Sequence, residues 1–121
     1  MQMCGQMTKI YCNGSTKKSC VVIEEKGIIL SPYSELTTTN VGEYKAVIRA
    51  LMEALRYNFK TTEVLTDSLL VVNQINGLWQ CKKPHLLPFL RRARELVEKL
   101  NAKVVWTPRE ENLAGKILER R

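Results

Sequence analysis

Residues 62–80, TEVLTDSLLVVNQINGLWQ, begin as an apolar, strand-like run, stop at Thr66-Asp67-Ser68, and pass directly into a helical pattern. An acidic residue at such a junction has two physical explanations. Asp67 or Ser68 can accept hydrogen bonds from the open N–H groups of a first helical turn, which makes the pair a helix cap. Open α/β sheets also place their ligands just beyond the carboxyl ends of their strands, which makes Asp67 a metal ligand. The spacing predicts a helix from Ser68 to Asn76, ended by the turn signal Asn76-Gly77.

Upstream of this junction, KIYC (9–12), CVVIEE (20–25) and GIILSPYSE (27–35) are β-branched and apolar and are separated by short polar turns, so they read as an antiparallel meander. Val47, Ala50, Leu51, Ala54 and Leu55 then recur at helical spacing between Val41 and Asn58, with Thr39 or Asn40 as the expected cap. Downstream, Pro84 opens an amphipathic helix carried by Leu86, Leu90, Val97 and Leu100, with Pro88 in or near its first turn. KVVW (103–106) reads as the last strand, TPRE as a turn, and ENLAGKILERR as a short final helix. The order β-β-β-α-β-α-α-β-α predicts an α/β fold. Its mixed sheet has five strands, three antiparallel and then two reached through helical crossovers and so parallel, with helices on both faces.

A chain of 121 residues at 45% hydrophobic content is expected to form a single domain over 1–121 with no linker. Nineteen Lys and Arg against twelve Asp and Glu leave a formal charge of +7, which favours a polyanionic partner. The basic residues cluster at Lys17-Lys18, Lys82-Lys83, Arg91-Arg92 with Arg94, and Arg120-Arg121. Cys4, Cys12, Cys20 and Cys81 form no C-x-x-C pair and have no histidine at zinc-ligand spacing, so they read as reduced thiols of a cytoplasmic protein. No leader pattern opens the chain, and no apolar run approaches the roughly 18 residues of a membrane span.

Three short motifs stand at element boundaries: YCNGS ending the first strand, TTNVGEY opening the first helix, and TDS ending the fourth strand. In that order they resemble type 1 ribonuclease H, whose pattern runs D-G-S, then T-N-N-x-A-E, then a strand ending in D-S. WTPREENLAGKILE is similar to the closing pattern of that family, H-x-P-R-E-x-N-x-x-A-D-x-L-A, so the resemblance covers nearly the whole chain. It implies a ribonuclease H-like fold. It also places the family's four metal-binding carboxylates on Asn13, Glu43, Asp67 and Lys116, and its loop histidine on Trp106. Glu43 and Asp67 remain as metal ligands. The glycine-rich insert that the family often carries between its first two strands is here cut down to STKK.

Hydrolysis in this family implies two magnesium or manganese ions about 4 Å apart, one helping to form the attacking hydroxide and one stabilising the leaving oxygen. Hard cations need several carboxylate oxygens. Asn13 keeps an oxygen without its charge, and Lys116 inverts the charge, so the four positions sum to −1 where four carboxylates would give −4. A unit charge roughly 4 Å away is worth on the order of 4 kcal/mol at an effective dielectric of about 20, enough for three units to abolish metal occupancy. An opposite reading lets the Lys116 ammonium stand in for one metal of a one-metal nuclease.

The same resemblance sets Gly14, Ser15, Thr39 and Asn40 against an RNA strand, where amides and short polar groups can read the 2′-hydroxyl. Trp79, Lys82 and Lys83 make an aromatic and basic cluster suited to the DNA strand. Read without the resemblance, Glu43 is an acidic group favoured by a helix dipole, Lys82-Lys83 a solvated turn, and Trp106 a core residue on an apolar strand, with a base-stacking platform as the alternative. Three functions follow. The first is a module that binds RNA/DNA hybrid or another duplex, with hydrolysis lost or weakened and no metal required. The second is an active magnesium- or manganese-dependent endonuclease that tolerates Lys116, with Asn13 open to two readings, a natural residue or an engineered inactivating change. The third is a protein-interaction module reusing the fold.

Overall fold

A computed structural model describes residues 7–24 and 26–119. The readings of Cys4, Glu25, Arg120 and Arg121 lie outside the described residues. Strands β1 (Thr8–Gly14), β2 (Lys18–Ile23) and β3 (Gly27–Pro32) are followed by helix α1 (Thr39–Tyr57), strand β4 (Thr62–Thr66), helices α2 (Leu69–Ile75) and α3 (Leu87–Leu100), strand β5 (Lys103–Trp106) and helix α4 (Leu113–Glu119). The sheet order is β3-β2-β1-β4-β5. β1 pairs antiparallel with β2, and β2 with β3, whereas β1 with β4 and β4 with β5 run parallel. The predicted five-stranded mixed sheet is therefore the observed one.

Side-chain alternation along β1 divides the molecule. Ile10 and Cys12 enter the main core with Val21 and Val64, under Ala46, Val47, Ala50, Leu51 and Ala54 of α1. Asn13 points the other way, toward Gly115 of α4, so helices do cover both faces. α3 packs on α1 through Leu90, Ala93 and Leu96. A polar tie runs across the helical layer: Tyr44 donates to Gln74 Oε1 at 2.5 Å, and Arg94 donates to the Gln74 and Ile75 carbonyls at 2.7 and 3.3 Å.

Several boundaries move, each for a local reason. β3 stops at Pro32, short of the expected Glu35, since proline donates nothing to a ladder. The cap of α1 is Thr38, whose side chain accepts from Val41 N–H at 3.2 Å, so Thr39 and Asn40 lie inside the first turn. Its other end closes on Asn58 in the left-handed conformation, φ 57°. TPRE leads into a short 3-10 turn, Arg109–Glu111, before α4. Among the described residues no helix is long and apolar enough to cross a membrane.

Candidate functional site

The end of β1 meets the first turn of α1 at a distance only glycine permits. A Cβ on Gly14 would collide with the Gly42 carbonyl and stand 2.9 Å from the Glu43 nitrogen, and a Cβ on Gly42 would collide with the Ser15 carbonyl. This approach lets the Gly14 N–H donate to Glu43 Oε1 at 3.1 Å. Tyr33 donates its hydroxyl to the Gly42 carbonyl at 3.2 Å, and burial holds that hydroxyl protonated up to about 12. Glu43 is thus fixed at the strand end by backbone contact.

Burial raises the Glu43 carboxyl to about 7; the nearby Asp67 charge pushes the same way, while the Gly14 hydrogen bond and the Arg109 charge oppose. Both carboxylates are also felt at Cys12, whose thiol burial already lifts and whose sulfur is hydrogen-bonded by Thr66. Glu43 and Asp67 therefore lie within electrostatic reach of each other near the ends of β1 and β4. Of the two candidate caps of α2, Ser68 is the one used, and its Oγ accepts from Val71 N–H at 3.4 Å. Ser68 N–H in turn donates to Thr66 Oγ1 at 3.2 Å.

On the opposite face α4 is docked by a neutral amide. Asn112 is fully buried, donates Nδ2 to the Cys12 carbonyl at 3.0 Å and accepts from Ala114 N–H at 3.1 Å. Gly115 lies so close to β1 that its added Cβ would stand 3.4 Å from Asn13 Nδ2. Lys116 follows directly and is exposed, its N–H bonded to the Asn112 carbonyl at 3.1 Å. Asn13 and Glu43 are thus placed at the end of β1, with Lys116 next to Gly115 on α4 and Asp67 within electrostatic reach of Glu43.

The core reading of Trp106 is overturned. Val104, two residues before it on the same sheet face, is buried, but Trp106 is 46% exposed. The face runs past the end of the core there, so alternation no longer means burial. Ser15 is occupied locally, because its Oγ accepts from the N–H groups of Lys17 and Lys18, both at 3.1 Å, and closes the β1–β2 turn. Thr39 and Asn40 are exposed in the first turn of α1, one turn or less from Glu43. Trp79, Lys82 and Lys83 stand apart on the α2–α3 connection, all exposed, with the Leu78 and Trp79 N–H groups folded back on the Asn73 carbonyl at 2.8 and 3.1 Å.

Gly42, Asn112 and Arg109 were not singled out from the sequence. TTNVGEY and PREEN contained all three, but only packing reveals what each touches.

Residues 12–118 match the family described as Reverse transcriptase-like. The chain belongs to that family. Its ribonuclease H-like domain superimposes on the ribonuclease H1 of the halophilic archaeon Halobacterium salinarum with a TM-score of 0.80 and 28% identity, over 93% of this chain and 94% of the other. The N-terminal ribonuclease H domain of a Mycobacterium tuberculosis protein gives 0.79 and 25%, over 94% of each chain. A ribonuclease H1 solved in complex with an RNA/DNA hybrid gives 0.75 and 25%, over 93% and 91%. In sequence, the ribonuclease HI of Halobacterium salinarum is 42% identical over 60 residues, 50% of this chain and 30% of that protein. A bifunctional protein of Mycobacterium tuberculosis is 37% identical over 76 residues, 62% of this chain and 21% of that protein. The match therefore spans less than a third of either relative.

Proposed function

We propose that this ribonuclease H-like domain binds RNA/DNA hybrid, or a closely related duplex, with metal-dependent hydrolysis of the RNA strand lost or weakened. The observation that carries this reading is the asymmetry of the strand-end site. Glu43 and Asp67 lie within electrostatic reach of each other, while the positions beside them on β1 and α4 hold a neutral amide, Asn13, and an ammonium, Lys116.

A magnesium or manganese pair fits this donor set poorly. Among the described residues no three Asp, Glu, His or Cys side chains come together as a cation cage. One Glu43 oxygen is already engaged by the Gly14 N–H, and a carboxyl raised to about 7 is half protonated near neutral pH, so any cation competes with a proton. Nucleic-acid contact does not depend on that pair. Thr39, Asn40, Trp79, Lys82 and Lys83 are exposed for sugar, base and phosphate contacts. The similarity to a ribonuclease H1 in complex with hybrid supports the choice of ligand.

The test is cleavage and binding of one labelled hybrid, with magnesium and with manganese, for the parent and for Asn13→Asp with Lys116→Asp. The expected result is metal-independent binding without cleavage by the parent, with a salt slope that falls by about one for each phosphate contact removed in Lys82→Ala and Lys83→Ala. Metal-dependent cleavage by the parent would establish the active endonuclease instead. Absence of binding at low salt would favour a protein-interaction module.

A further inference from the structure

The backbone of Trp106 belongs to the sheet, and nearly half of the residue's surface is open. It pairs with Thr66 at the end of the parallel β4–β5 ladder, and the next residue, Thr107, is buried and donates its N–H to the Thr66 carbonyl at 2.9 Å. The backbone at Trp106 is thereby held against the strand that leads into Asp67. Three residues further on, Arg109 is close enough to lower the proton affinity of Glu43. Arg109 itself is exposed. A large aromatic face thus stands at the strand end beside the residue that precedes Asp67.

We infer that Trp106 is a stacking platform for an unpaired nucleobase, so that this site prefers a hybrid containing an unstacked nucleotide over a continuous duplex. This rests on the binding reading given above. Within a paired duplex both faces of each base are covered by neighbours, and only edges, sugars and phosphates are open to a protein. An exposed indole gains most from a base whose face is free, and every base has such a face. Neither Lys116 nor Asn13 would repel the flanking phosphate. Trp106 would thus confer specificity for a structural defect in the nucleic acid, not for its sequence.

The experiment uses a Trp79→Phe background, in which Trp106 is the sole tryptophan. Two ligands are titrated: a fully paired RNA/DNA hybrid, and the same hybrid with a single unpaired adenosine in its RNA strand. The expected result is quenching of Trp106 emission by the second ligand and an affinity ratio of about 10-fold in its favour, the size of one base–aromatic stack. That ratio should fall to about one in Trp106→Ala and largely survive in Trp106→Phe, which keeps a ring. Equal affinity for both ligands in the background protein, or a preference that survives in Trp106→Ala, would overturn the stacking inference and leave hybrid binding standing. Failure of both ligands to bind the parent protein, with Trp79 in place, would overturn the binding reading and the inference with it.

Discussion

Where α1 meets the end of β1, two glycines let backbone touch backbone and a carboxylate is caught against the strand; where α4 meets the same strand from the other face, a buried asparagine bridges the gap and the neighbouring side chains carry a neutral amide and a positive charge. Both contacts are geometrically tight. Only the first also fixes a charge. The docking of α4 uses Asn112 and Gly115, neither of them charged, so the charge at positions 13 and 116 is separable from what holds the helix in place. A site built this way can lose its metal chemistry while the fold around it persists.

The α1 contact is the more fragile of the two. Gly14→Ala forces a methyl into the Gly42 carbonyl, and neither backbone can move without displacing a strand or a helix. A loss of about 3 kcal/mol or more is expected in chemical denaturation, together with loss of the Glu43 hydrogen bond. On the α4 side, Asn112→Ala leaves the buried Cys12 carbonyl and the Ala114 N–H without their side-chain partner. That should destabilise by about 2 kcal/mol, measured the same way. If Asn112→Ala proved the costlier of the two, the glycine contact would be softer than its geometry implies.

These two variants also mark what could be read before the structure. The element order and the sheet follow from apolar periodicity, and the candidate carboxylates at 43 and 67 from the short motifs that carry the family resemblance, all of them local signals. The Gly14–Gly42 contact is not local: it joins residues 28 apart and exists only because α1 crosses over the end of β1. Asp67 and Ser68 were indistinguishable as caps in one dimension; the side-chain geometry assigned the cap to Ser68. Trp106 was misread because alternation reports which face a side chain takes, not whether a helix still covers that face at the strand's end.

Removing the charge from the α1 side sharpens the contrast. Glu43 has a folded pKa near 7, above its ordinary value of 4.5, so the folded state binds the proton more tightly than the unfolded one. The stability this supplies is fully present below about 4.5 and is lost as pH rises through about 7. Glu43→Gln removes the burden of the buried charge while keeping an oxygen for the Gly14 N–H. It should therefore stabilise the protein by about 1–2 kcal/mol at pH 8 and by little at pH 4.5. Thermal melts of parent and variant across that range would check it, and equal stability differences at both ends would show that Glu43 titrates as an ordinary surface carboxylate.

The smallest expected effect comes from restoring charge on the α4 side. Asn13→Asp with Lys116→Asp alters neither Asn112 nor Gly115, so the docking of α4 should survive and the melt should remain cooperative. Four carboxylates around one strand end would repel, however, and without divalent cation the double variant should lie about 1 kcal/mol below the parent. Magnesium ought to reverse that deficit in the variant and leave the parent's melt unchanged, because a cation that binds only the folded state stabilises it in proportion to the logarithm of its concentration. Melts of both proteins with and without millimolar magnesium would decide the point. A magnesium-dependent rise in the parent would mean that Glu43 and Asp67 bind the ion without help, and that the asymmetry of the two faces does not reach the metal. A double variant that failed to fold would mean that the charges at 13 and 116 are part of how α4 docks, and that the separation drawn between them is wrong.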